Sequence, residues 1–170
     1  MDGALAAAAA RGIEARRWSA GLEWCPASDG EFQVVVAADI IEHIVDTDGF
    51  MAELSRILAA DGFLIVTTPN LAYWRSRLRL LLGKPPCSYP GPSPTVRSDL
   101  MVDVNHIRIT TSSEWQALFH VNGFKTLDLE GWSTMHAFEV GISIRAREML
   151  DRFFIRFPTS AFGLLFVLHR

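Results

Sequence analysis

The stretch at residues 31–70, EFQVVVAADIIEHIVDTDGFMAELSRILAADGFLIVTTPN, constrains this chain more than any other. Its pattern predicts strand, turn, helix, turn and strand. Val34, Val35, Val36, Ala37 and Ala38 form a short apolar run, mostly β-branched, of the kind buried on both faces of a sheet. A polar corner follows at 39–43, and Asp48 is placed to cap a helix. The apolar residues of that helix, Phe50, Met51, Leu54, Ile57 and Leu58, recur at three and four positions. Asp61 and Gly62 are expected to end it, and residues 63–66 form a second buried strand, stopped by Pro69 and Asn70. Two buried strands joined by a helix make a parallel crossover, right-handed with few exceptions. Ligands in such sheets gather beyond the carboxyl ends of the strands, so chemistry is expected at residues 37–43 and 67–70.

The rest of the chain extends this core. Residues 5–10 are strong helix formers ended by Arg11 and Gly12, and the alternation at 13–18 suits an edge or near-edge strand. Residues 71–84 read as an amphipathic helix with arginines at 75, 77 and 79. It either packs its leucines on the sheet or lies at a membrane surface. The proline-rich run 85–94 reads as a flap. A helix capped by Ser112 or Ser113 ends at Asn122 and Gly123. A strand at 124–129, a helix at 140–157 and a last apolar strand at 162–168, antiparallel, complete the pattern.

These residues resemble the second half of a class I S-adenosylmethionine-dependent methyltransferase, nearest the small-molecule group that contains the ubiquinone-biosynthesis enzymes. The likeness is carried by Asp39, Glu42 and His43, by Thr67 to Asn70, by Asn105, His106 and Arg108, by Thr110, Ser112, Glu114 and Trp115, and by Asn122, Gly123 and Phe124. Each motif is loose, but their order and spacing are specific. The resemblance implies an α/β fold: a Rossmann-like, mostly parallel sheet with flanking helices and a C-terminal antiparallel strand. It implies one domain over residues 1–170, with a substrate-side insertion at 71–104. The implied activity is methyl transfer from S-adenosylmethionine to oxygen, nitrogen or carbon of a small molecule.

In that family the cofactor site opens with a strand and a glycine-rich turn, where the backbone approaches the ligand because glycine has no Cβ. Gly12, Gly21 and Gly30 are isolated, so the chain is expected to be N-terminally truncated and to lack the family's first two strands. The positions carried over are Ser19 and Ala20 beside the adenine, and Ala38, Asp39 and Ile40 beside the methionine part. Losing two strands would bare the apolar edge at 34–37, which the remaining strands would close or a second copy would cover. A non-catalytic partner subunit, or relic, is the alternative reading.

Methyl transfer to a hydroxyl needs a positioned base, and His43 and His106 are the candidates. Otherwise both are loop-bound structural histidines, the reading given to His120, His136 and His169. Glu42 is expected to orient His43 or to cap the next helix, and Thr68 to Asn70 either touch substrate or simply end the strand. Asp39, Glu42, His43 and His106 together resemble a cation-binding cluster of some RNA 2′-O- and ubiquinone O-methyltransferases. Other relatives with this pattern need no metal, and no metal ligand is assigned.

A net charge of −3 argues against nucleic acid as a partner, since neutralising phosphates requires a basic face. Cys25 and Cys87 are expected to be free thiols in a cytoplasmic protein. No run approaches the roughly 18 apolar residues of a spanning helix. The short alanine run at 4–10 has no basic residues before it and reads as helix rather than signal peptide.

Overall fold

The computed structural model describes residues 2–87, 106–133 and 144–170. Four strands form one mixed sheet in the order β1-β2-β4-β3, with β1 at Phe32–Ala38, β2 at Leu58–Pro69, β3 at Lys125–Trp132 and β4 at Gly163–His169. β1 and β2 are parallel, joined by helix α2 (Thr47–Ile57), as the crossover pattern predicts. β4 runs antiparallel to both its neighbours. It is the expected antiparallel strand, and it lies inside the sheet between β2 and β3, where the resembled family's strand order puts the last strand. The alternation in Leu164, Phe166 and Leu168, all fully buried, gives it a core face that an edge position would waste.

Helices cover one face. Phe50, Met51 and Leu54 of α2 and Trp115 and Phe119 of α4 (Ser112–Val121) meet Ala37, Leu64, Val66 and the buried residues of β4. On the other face Phe32, Val34, Val36 and Phe63 are exposed, Val34 at 52% and Val36 at 61%. β1 is an edge strand.

Several boundaries differ from the sequence reading. Residues 13–18 form no strand. An extended run becomes a strand only when it finds a ladder partner, and here Arg16 bonds Glu14 and the Pro26 carbonyl while Trp18 turns away to stack on Phe50 at 5.7 Å. α2 ends at Ile57, because Leu58 is claimed by pairing with Phe32. The register slips between Phe32 and Val34. Gly62 permits the slip, since a Cβ there would lie 2.9 Å from the Gln33 carbonyl oxygen and 2.8 Å from Leu58 Cδ1. The α2 cap is Asp46, whose side chain accepts from Gly49 N at 2.9 Å, rather than Asp48. At α4 the capping residue is Thr111, whose backbone N–H and hydroxyl both donate to Glu114. The amphipathic helix α3 spans Trp74–Leu81, and α5 spans Ile144–Phe154. α1 (Asp2–Ala10) is largely exposed. Of the expected flap, residues 88–94 lie outside the described residues, as do Asn105, His136 and the start of the helix expected at 140–157.

Candidate functional site

β1 delivers its carboxyl end to the site through an unusual residue. Asp39 has φ of +49°, the one positive value among the described non-glycine residues. Asp and Asn tolerate this region better than other side chains. It is held there by β2: Asp39 N donates to the Thr67 carbonyl at 3.0 Å, and Thr67 Oγ1 donates to Asp39 Oδ1 at 3.1 Å. The chain then turns through one 3-10 turn, Ile41–His43, which drives Ile41 into the core and carries Glu42 inward with it.

Glu42 is fully buried, and neither carboxylate oxygen makes a hydrogen bond. Thr68 Oγ1, from the end of β2, is close enough to favour the ionised form slightly, yet it too is buried without a hydrogen-bond partner. Burial is the main influence on the Glu42 carboxyl and raises its pKa, and the nearby Asp39 charge pushes the same way. A buried, unpartnered acid costs free energy and is kept by natural sequences for a reason.

The loop at 106–108 closes the site. Ile107 N and Arg108 N both donate to the Glu42 carbonyl, at 2.9 and 3.0 Å. The Arg108 guanidinium donates to Thr47 Oγ1 at 3.2 Å and the Ile44 carbonyl at 3.4 Å. These bonds bring His106 to His43, with ring centroids 4.8 Å apart, and His43 Nε2 lies 4.0 Å from Glu42 Oε1. Ligand atoms of Glu42, His43 and His106 all fall within 4.8 Å of one another. One carboxylate and two imidazoles in that compass can relay a proton, anchor a hydroxyl or amine, or hold a divalent cation.

The sequence-predicted residues therefore separate into groups. His43 and His106 come together, and Glu42 joins them as a buried third member instead of capping α2. Asp39 is fixed beside them by Thr67. Ala38 is exposed on the free-edge strand, and Ile40 packs partly against the core. Ser19 and Ala20 sit in a turn whose Gly21 packs on Ile44, where a Cβ would lie 2.7 Å from Cγ2, so this turn borders the start of α2. Asn70 is structural: its side-chain amide donates to the Ala161 carbonyl and its oxygen accepts from Ala72 N. The buried state of Glu42 and Thr68 was not visible in sequence, although Glu42 stood inside the quoted motif.

A family model described as a methyltransferase domain matches residues 7–129, well over half of the chain. Proteins of two Mycobacterium tuberculosis strains, described as probable S-adenosylmethionine-dependent methyltransferases, are 41% identical over 51 residues. That stretch is 30% of this chain and 19% of theirs, so only about a fifth of those relatives is matched. Among solved structures, a methyltransferase of Thermotoga maritima superposes with a TM-score of 0.62 at 17% identity, over 98% of this chain and 69% of that one. One from Mesorhizobium loti gives 0.61 at 16% identity, over 100% and 77%. At such identities these two likenesses speak for the fold. With the family model spanning both the crossover and the His106 loop, the chain belongs to the class I S-adenosylmethionine-dependent methyltransferases.

Proposed function

We propose that this chain provides the acceptor side of methyl transfer from S-adenosylmethionine to an oxygen, nitrogen or carbon of a small molecule, in the cytoplasm. The observation that carries this reading is the convergence of Glu42, His43 and His106 at the carboxyl ends of two parallel strands. S-adenosylmethionine, when bound, supplies an electrophilic methyl group. The residues present fit one side of it: Asp39 and Ile40 beside its methionine part, with Ser19 and Ala20 toward the adenine. No glycine-rich turn stands in the sequence to form the other side. His43 and His106 hold the acceptor and take its proton, and Glu42 orients the imidazoles. Of the expected insertion, residues 71–87 are assigned to the substrate side.

The same three ligand groups have the donor set for a divalent cation, which would polarise an acceptor hydroxyl. A second reading, a non-catalytic partner subunit, is favoured by the free, apolar edge of β1. Calorimetric titration with S-adenosylhomocysteine separates the two. Binding in the micromolar range is the expected result for the enzyme. Silence at millimolar ligand would leave this chain without a cofactor site of its own and would favour the partner subunit.

A further inference from the structure

We propose that α3 and α5 together form a surface that docks on anionic lipid bilayers. The two helices are packed together: Trp74 stacks on Phe154 with centroids 5.4 Å apart, and Tyr73 Oη and Trp74 Nε1 both donate to the buried Asp151, at 2.7 and 2.8 Å. Asp151 is thus consumed internally and places no free carboxylate on the outside. Apart from the half-buried Glu148 on α5, what remains outside is apolar and cationic. Leu81 is 83% exposed and Leu82 66%, with Leu78 and Leu80 also open; α5 and its extension expose Met149, Phe153 and Phe157. A side chain of this size gains free energy on leaving water, so a cluster of them open to solvent is a surface in want of a partner.

The charge distribution selects the partner. Residues 74–84 hold Arg75, Arg77, Arg79 and Lys84 and no acid, in a chain whose net charge is −3. Arg152 on α5 and Arg156 just beyond its end, both exposed, add to this. Leucines set among cations suit the boundary between acyl chains and anionic headgroups. No helix is long and apolar enough to cross a membrane among the described residues, so the contact is with a surface. A second copy of this chain would bring the same cations against each other, which disfavours self-association here.

The position also has a use. α3 begins just beyond the carboxyl end of β2, and Leu71 N donates to the Thr110 carbonyl at 3.0 Å, tying this end to the loop that carries His106. The docking surface and the Glu42, His43 and His106 cluster therefore share one end of the sheet, and an acceptor held at a bilayer would be presented to that cluster. Docking does not depend on the methyl-transfer reading and can hold or fail without it.

Flotation of the whole chain with phosphatidylcholine vesicles, with and without phosphatidylglycerol, tests the surface. The chain is expected to float with the anionic vesicles alone and to be released by high salt. Each cation removed, as in Arg152→Gln or Lys84→Gln, should weaken partitioning about fivefold. The double variant Leu81→Ser, Leu82→Ser should no longer float; both side chains are exposed, so its circular dichroism should match the parent. Absence of flotation with anionic vesicles overturns the proposal. So does flotation that the leucine variant retains, or a parent dimer that this variant converts to monomer without any lipid binding.

Discussion

Glu42 is the residue on which the candidate site turns, because it is a fully buried carboxyl with no hydrogen bond to the protein. Burial raises its pKa above the ordinary 4.5, so the folded chain holds that proton more tightly than the unfolded chain does. Its contribution to stability is therefore fully present below the unfolded value and is lost as pH rises through the folded one. Glu42→Gln removes that loss. By calorimetry it should match the parent near about pH 4 and exceed it by about 1 kcal/mol near about pH 7.5. A variant equally displaced at both values would mean that the carboxyl does not titrate in this way. The two histidines were legible as candidates from the motif. Their meeting was not, since His43 and His106 are brought together by two backbone bonds from the 106–108 loop to the Glu42 carbonyl. No local pattern encodes such bonds.

At the scale of elements, caps and edges decide what forms. α2 starts two residues earlier than the sequence reading places it because Asp46 reaches Gly49 N, and Asp48 is left to accept from Asn122 Nδ2 at 2.9 Å. Asp46→Ala should cost about 1 kcal/mol in urea unfolding, against a few tenths for Asp48→Ala. Equal costs would show that the cap is shared. The two edges of the sheet differ in kind. β3 carries Lys125, Asp128 and Glu130 and a register shift between Thr126 and Asp128, the devices that keep an edge from pairing. β1, FQVVVAA, carries no charge and no proline.

For the whole molecule, that asymmetry bears on association. A parallel pair is normally covered on both faces, and here Val34, Val36 and Phe63 are open on one. We expect the protein to sediment as a dimer or larger species at micromolar concentration and Val36→Lys to shift it toward monomer. A parent that remains monomeric throughout would show that this edge is tolerated bare. The rest of the surface near β1 is already braced: Arg56 donates to Glu53, Asp29 and the carbonyls of Cys25 and Ala27, pinning the loop ahead of β1 to α2.

The sequence alone determined the strand–helix–strand core, the order of elements around it and the family, because these rest on short-range periodicity and on motifs a few residues long. Only the tertiary structure decided that residues 13–18 stay out of the sheet and that Glu42 is sealed beside two histidines. Both outcomes are competitions for partners distant in sequence: a ladder neighbour for 13–18, and a hydrogen bond that Glu42 does not find within the protein. Propensity supplies the competitors, and packing chooses among them.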